Sequence, residues 1–315
     1  MFHVFIVNPK AGKGRDAKRL VAEIVAYFKA HGGRYKIVNT QKEGDATALA
    51  RQICAESDQV NVYACGGDGT TYEVLNGIIG CNNVNLGIIP CGSGNDFVKY
   101  FADPAAFLDL ENLLYGEIVP LDVIRMGDRV AVNSCSVGMD AMVADHVRYF
   151  KKLPISASLA YKLSCVYTAF KKFRNDLEIT IDGHKLGKIP CLFAVCANAP
   201  FYGGGFCCAP TACPGDGKLE YSIIECRSKL QMIKILGRYR KGTHITLENC
   251  RYGNCSRMEI SSSRPMVINM DGEIFYNSHA KFELVKGAVR FILPRSLVGR
   301  FLPEFQTAND SARID

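Results

Sequence analysis

No uninterrupted apolar run in this 315-residue chain reaches the ~18 residues that a membrane-spanning helix requires. The opening "MFHVFIVNPK" also lacks the basic start and small-residue cleavage site of a signal peptide. Together these absences predict a cytoplasmic protein that visits a membrane without crossing it. The fourteen cysteines form no paired CxxC knuckles. The nearest clusters, Cys207, Cys208 and Cys213, then Cys250 and Cys255, have no histidines at zinc-finger spacing. Metal-sulfur sites are therefore set aside, and reduced, largely buried thiols are expected. The GxxxxGK[ST] spacing of a P-loop is missing, and no internal repeat marks a solenoid.

What is present is an ordinary globular composition, 48% hydrophobic, enough for one large or two smaller packed cores. The excess of 38 basic over 31 acidic residues, net +7, attracts anionic partners without choosing among nucleotides, nucleic acid and acidic lipid headgroups.

The first third alternates strand and helix signals. "FHVFIVN" is a short apolar run, followed by a segment placing Leu20, Val21, Ile24, Val25 and Phe28 on one helical face before Gly32. "RYKIVNT", "VNVYAC" and "NLGIIP" are further strands. Between them "GDATALARQICAES" and "TYEVLNGII" read as helices, and "SGNDFVKYF" opens another. Such alternation predicts a doubly wound, mostly parallel sheet, whose ligands bind at the carboxyl ends of the strands.

From about Leu121 the rhythm becomes strand after strand: "LDVIRM", "RVAVNSCSV", "LEITIDG", "CLFAVCAN", "LEYSIIE", "ITLENC", "RMEISSS", "MVINM" and "KFELVKGAVRFIL". This predicts an antiparallel β-sandwich, interrupted by helices over Met139 to Lys152 and Ser156 to Arg174. The boundary is placed near Gly127 and Asp128, giving domains of 1–127 and 128–293.

Three small-residue loops fall at consecutive strand ends: "NPKAGKGR", "CGGDGTT" and "PCGSGNDF". Glycine lets backbone approach a ligand, and Thr70, Thr71 and Ser93 offer hydroxyl donors, so a phosphate site is expected. Asp68 and Asp96 are the anomaly, because carboxylates beside a triphosphate repel it unless a cation or strong donors compensate. The loops therefore imply a metal nucleotide.

"NPKAGKGR", "CGGDGTTYEVLNGI", "PCGSGNDF", "GGGFCCAPTACPGDGKLE" and "INMDGEIF", in this order and spacing, resemble the diacylglycerol kinase catalytic family and its soluble bacterial lipid kinases. The resemblance implies an ATP-binding first domain, a β-sandwich second domain, and a tail over 294–315 returning to the first. It places ATP on Asn8, Lys10, Ala11, Gly12, Lys13 and Gly14, on Thr40, on Gly66, Gly67, Asp68, Gly69, Thr70, Thr71 and Tyr72, and on Gly92, Ser93 and Asn95. It implies a structural Mg²⁺ on Asp216 with the carbonyls of Cys213 and Lys218. Gly215 stands where the family often has an acidic residue. Water-bridged carboxylates, Asp68, Asp96 and Asp122, would extend that site.

"MDGEIF" by itself reads as a hairpin turn. The resemblance makes Asp271 the general base and gives Glu273 the role of orienting it or holding catalytic Mg²⁺, with Asp68 completing the catalytic carboxylates. Lys13 and Lys162 are candidate neutralisers of phosphate charge. The acceptor is expected to be a lipid hydroxyl, diacylglycerol first, with phosphatidylglycerol, ceramide or a sphingoid base as alternatives; no nucleic-acid partner is implied. A soluble kinase of the NAD kinase type and a catalytically silent nucleotide- or lipid-binding regulator are the competing readings.

Two basic amphipathic stretches bear on the membrane. In "SASLAYKLSCVYTAFKKFR", Leu159, Leu163, Val166, Phe170 and Phe173 recur at helical spacing beside Lys162, Lys171, Lys172 and Arg174. "KLQMIKILGRYRKG" is the second. Each is either a core helix with a solvated basic edge or an element that touches the inner face of the membrane peripherally. Analogy with related members suggests a homodimer.

Overall fold

The computed structural model describes residues 1–302 and 305, apart from 151, 154, 156, 172 and 173, and it describes no side chain at 13, 157 or 158. The chain forms two compact units. The first comprises Met1–Val123, Cys213–Gly217 and the chain from Val285 onward; the second comprises Ile124–Ala212 and Lys218–Leu284.

In the first unit β1 (Phe2–Val7), α1 (Arg15–His31), β2 (Arg34–Asn39), α2 (Asp45–Glu56), β3 (Val60–Gly66), α3 (Asp68–Ile78) and β4 (Val84–Pro90) alternate as expected, followed by the short α4 (Leu110–Leu114) and, as far as Val123, by β5 (Glu117–Met126). β1 pairs in parallel with β2 and β3, and β3 pairs in parallel with β4. β3 is buried along its whole length, as a strand covered on both faces must be. In α1 the buried stripe is Leu20, Ile24 and Phe28, while Val25 is exposed. "NDFVKYF" forms a 3-10 turn over Phe97–Phe101 instead of an α-helix. It sets Phe101 against Phe107, Phe291 and Phe301, so aromatic packing fixes the turn.

The expectation of wholly reduced cysteines needs correction. Cys54, in α2, is bonded to Cys81, just beyond α3, across a Cα separation of 6.4 Å. That lies within the reach of a disulfide. The remaining cysteines are free, and most are buried.

The second unit holds β6 (Arg129–Ala131), β7 (Ser134–Gly138), α5 (Met139–Phe150), α6 (Ala157–Lys171), β8 (Asn175–Ile181), β9 (His184–Ala197), β10 (Phe201–Tyr202), β11 (Phe206–Cys207), β12 (Leu219–Glu225), α7 (Lys229–Arg240), β13 (Cys250–Cys255), β14 (Arg257–Met270) and the first part of β15 (Glu273–Leu293). Its pairings are antiparallel. β9 and β14 are each long enough to be shared. Near one end they flank β8, and near the other they flank β7.

"RMEISSS" and "MVINM", read as two strands, form the single β14, with a register shift between Ser261 and Met266. Pro265 lies inside the shift and has no N–H for the ladder. "ITLENC" also differs: Thr243–Thr246 is a 3-10 turn and the strand starts only at Cys250.

The unit boundaries depart from 127/128 and 294. β15 leaves the second unit at Val285, and its later residues Arg290 and Phe291 pair in parallel with Asn85 and Leu86 of β4. Segment 213–217 also joins the first unit, where Asp122 N–H donates to the Pro214 carbonyl at 2.9 Å. Parallel pairing thus links β1 to β4 and the end of β15. Of the tail expected to return, residues 303, 304 and 306–315 lie outside the described residues.

Candidate functional site

In the first unit, the loops beyond β1, β3 and β4 are joined by side chains that sequence-distant residues supply. Asn8 anchors the first loop: its N–H donates to the Cys65 carbonyl at 2.9 Å and its Nδ2 to Thr70 Oγ1 at 3.4 Å. Its Oδ1 accepts the Lys10 N–H at 3.0 Å. Ala11, Gly12, Lys13 and Gly14 form a 3-10 turn entering α1, with Gly12 and Gly14 at φ 55° and 77°, a region open to glycine at little cost. Thr40 follows β2 and donates its N–H to the Val7 carbonyl at 2.9 Å. The side chain of Lys13 lies outside the described residues.

The "GGDGT" and "GSGND" loops touch backbone to backbone. A Cβ on Gly92 would stand 2.4 Å from the Gly67 Cα, so Gly92 has no room for a side chain, and a Cβ on Gly67 would lie a tight 3.3 Å from the Gly92 Cα. The Gly66 carbonyl accepts the N–H groups of Cys91 and Gly92 at 2.8 and 3.1 Å. Asp68 completes the join: its two carboxylate oxygens accept the N–H of Asn95 at 2.8 Å and of Asp96 at 2.7 Å. Asn95, at φ 52°, bonds the Gly92 backbone through both ends of its side-chain amide.

The carboxylate that sequence reasoning set among phosphate oxygens is therefore occupied in holding the adjacent loop. Burial, and next the Asp96 charge, still hold its pKa above the usual range, against the lowering effect of those amides and Lys99. Lys99 pairs with Asp96. Sequence reasoning missed this cation, although the i,i+3 spacing in "DFVK" was the available signal.

Thr70, Thr71 and Tyr72 are buried, and Thr70 Oγ1 accepts from Asn8, whereas Ser93 is exposed. Gly69, in the first turn of α3, has open space where a side chain would stand. The free N–H groups of that turn favour an anion there.

Asp216 lies in the first unit with Asp122. The buried Asp122 carboxylate accepts Gly217 N–H at 2.8 Å and Gly287 N–H at 2.7 Å. Burial raises its pKa, the two amides oppose that shift, Asp216 adds to it and Lys286 lowers it. Gly215 has a steric cause: a Cβ there would meet the Phe305 ring at 2.0 Å. The aromatic ring thus occupies the space an acidic side chain would need. Tyr100 donates its hydroxyl to Cys213 Sγ at 3.2 Å.

Among the described residues no three His, Cys, Asp or Glu side chains converge to hold a metal by themselves. The donor chemistry fits a hard cation only if main-chain oxygens, water or phosphate complete the shell around Asp216.

In the second unit, Asp271 and Gly272 form the two-residue turn between β14 and β15, both at positive φ, 48° and 97°, as a type I′ hairpin demands. The hairpin reading of "MDGE" thus describes the backbone. The side chain does more: the Asp271 carboxylate accepts N–H bonds from Val132 at 2.7 Å, Asn133 at 3.2 Å and Ser134 at 2.8 Å. Glu273 pairs with Arg148 of α5 at 3.5 Å, a partner that sequence reasoning did not identify. Lys162 is exposed on α6.

Glycine loops tied together at the ends of parallel strands, with an antiparallel unit carrying a clamped carboxylate, define a two-domain kinase fold with a sheet-rich C-terminal domain. The chain matches the diacylglycerol kinase catalytic domain over residues 3–126 and the YegS C-terminal NAD kinase beta sandwich-like domain over residues 133–293. It belongs to the diacylglycerol kinase-like family of bacterial lipid kinases and is a lipid kinase.

It is 26% identical over 272 residues to a diacylglycerol kinase of Bacillus subtilis (strain 168), covering 85% of this chain and 88% of that one. It is 27% identical over 307 residues to a diacylglycerol kinase of Staphylococcus haemolyticus (strain JCSC1435), covering 97% and 92%. A solved diacylglycerol kinase structure from Bacillus anthracis str. Sterne shares the fold, with TM-score 0.69 at 20% identity over 94% of this chain and 98% of that chain. No described helix is long and apolar enough to cross a membrane.

Proposed function

We propose that this lipid kinase transfers the γ-phosphate of ATP, as its Mg²⁺ complex, to the free hydroxyl of diacylglycerol, giving phosphatidate. The observation that carries the ATP reading is the Asp68 clamp. It converts an apparent source of repulsion into the tie between two glycine loops, leaving the first turn of α3 to face phosphate.

Asn8, Lys10 to Gly14, Thr40, Gly66 to Tyr72, and Gly92, Ser93 and Asn95 are the proposed nucleotide residues. Asp216, with the carbonyls of Cys213 and Lys218, is the proposed Mg²⁺ position, and Asp96 joins it through water. Bound Mg²⁺ would supply charge neutralisation at the phosphates.

Asp271 accepts the acceptor hydroxyl's proton as attack on phosphorus proceeds. Three amide donors hold that carboxylate in place, and in a loose transition state the hydroxyl loses its proton late. Glu273, fixed by Arg148, orients the hydroxyl. The diacylglycerol assignment draws on the names of the relatives, and the enzyme is proposed to reach its substrate by peripheral contact with a membrane. The regulator reading falls with the kinase assignment.

The test offers labelled ATP and Mg²⁺ with mixed micelles of diacylglycerol, phosphatidylglycerol, ceramide or sphingoid base, and with soluble NAD. Label in diacylglycerol is expected. Label in another lipid would move the acceptor, and label in NAD alone would overturn the lipid reading.

A further inference from the structure

Helix α6 is packed inside out. Among its described side chains it completely buries Ala160, Ser164 and Thr168, spaced i, i+4, i+8. Their hydroxyls are satisfied inward: Ser164 donates to the Val143 carbonyl at 2.7 Å, and Thr168 donates to the Ser164 carbonyl at 2.8 Å. The large apolar side chains point the other way. Leu159, Leu163, Val166 and Phe170 are 44%, 38%, 55% and 75% exposed, and their i, i+4, i+7, i+11 spacing makes one continuous stripe. Helical periodicity alone would have put that stripe in the core.

α7 extends the same face. Met232, Ile235 and Tyr239 are buried, whereas Leu230 and Ile233 are 76% and 64% exposed. The two helices meet at Phe170, where Lys229 Nζ lies 3.5 Å from the Phe170 carbonyl and 5.2 Å from its ring centroid. Neither helix contains a single Asp or Glu: α6 carries Lys162 and Lys171, and α7 carries Lys229, Lys234, Arg238 and Arg240. A merely solvated helix face interleaves both signs. An exposed apolar stripe edged only by cations is complementary to an anionic bilayer, with side chains entering the acyl boundary and ammonium groups at the headgroups. The same cations would repel a second copy presenting the identical face.

We propose that the α6–α7 face is the membrane-docking surface, seated on anionic phospholipid by insertion of Phe170, Val166, Leu230 and Ile233. This deepens the peripheral contact of the proposed function by assigning it to one surface.

The test is sedimentation of the full chain, without ATP, with vesicles of phosphatidylcholine alone or mixed with phosphatidylglycerol. The wild type is expected to bind the mixed vesicles and to be released by salt. Phe170→Ser with Leu230→Ser should weaken binding at least about tenfold, while circular dichroism and turnover of a short-chain, water-dispersed acceptor stay unchanged. Lys229→Gln with Lys234→Gln should lower binding only for the anionic vesicles. Wild-type binding by the apolar variant overturns the proposal. So does a wild type that ignores vesicles but self-associates through this face. Because binding is read without turnover, docking can fail while lipid phosphorylation stands, and phosphorylation can fail while docking stands.

Discussion

Gly215 offers the sharpest check on the first unit. Its Cα faces the Phe305 ring so closely that a Cβ would stand 2.0 Å from Cδ1 and 2.6 Å from Cε1. Gly215 is not at positive φ, so Gly215→Ala meets a steric obstacle and no backbone one. Phe305 is wholly buried and cannot swing away without losing its contacts. Overpacking of this kind costs about 1–3 kcal/mol, and for a body of this size each kcal/mol lowers the unfolding midpoint by about 2–4 °C. Phe305→Ala alone should cost about 3–5 kcal/mol through the cavity it leaves.

Combined, the two changes should cost less than their sum by most of the overpacking term, because the new methyl group enters vacated space. Urea unfolding of the four proteins measures that coupling. A Gly215→Ala penalty of equal size with and without the ring would refute the steric account of why no acidic residue stands beside Asp216.

The carboxylate oxygens of Asp140 are buried and lack hydrogen-bond partners of ordinary geometry; burial raises its pKa while the nearby Ser136 and Tyr202 hydroxyls lower it. The native chain then holds this proton more tightly than the unfolded one, so its ionisation costs stability as pH rises from about 4 to the raised value. Asp140→Asn should gain stability relative to wild type across that window, and a flat difference between the two would refute this. Reducing Cys54–Cys81, separated by 27 positions, should cost about 3.5 kcal/mol by loop-closure entropy. The melting midpoint under dithiothreitol should fall accordingly and match that of Cys54→Ser; an unmoved midpoint would deny the bond a stabilising role. Asp68→Asn leaves one of two loop amides without its acceptor, at about 1–3 kcal/mol, and should raise KM for ATP more than it lowers kcat. A kcat loss at constant KM would assign Asp68 to the chemistry instead.

The βα alternation and the antiparallel second part were legible because short buried strands and amphipathic helices leave periodic patterns. What periodicity could not say was which face of α6 turns inward. Small hydroxyl residues took the core side there because their donors reach carbonyls of α5 and of α6 itself. Nor could the "DGE" turn reveal that Asp271 binds amides some 137 to 139 positions away. The Cys54–Cys81 pair was hidden for the same reason, since nothing local distinguishes those two cysteines from the buried free ones. Segment 213–217 was assigned with its sequence neighbours, yet its backbone is held by Asp122.

Asp68, Asp122 and Asp271 share one physical solution to the charge problem raised by the glycine loops. Each spreads its carboxylate over backbone N–H groups from elsewhere in the chain: Asn95 and Asp96, Gly217 and Gly287, and Val132 to Ser134 respectively. A charge so divided projects less field toward an approaching phosphate than a free carboxylate would. Burial nevertheless keeps Asp68 and Asp122 above the usual carboxylate range, so each retains a demand for positive charge that its amides do not fully meet. Lys99 and Lys286 answer part of that demand. In the proposed function a cation arriving with the nucleotide would answer more, with no preformed cluster of ligands among the described residues. Gly94 has a steric reason of its own: a side chain there would stand 2.3 Å from the Asp68 carboxylate, displacing the acceptor that holds the loop.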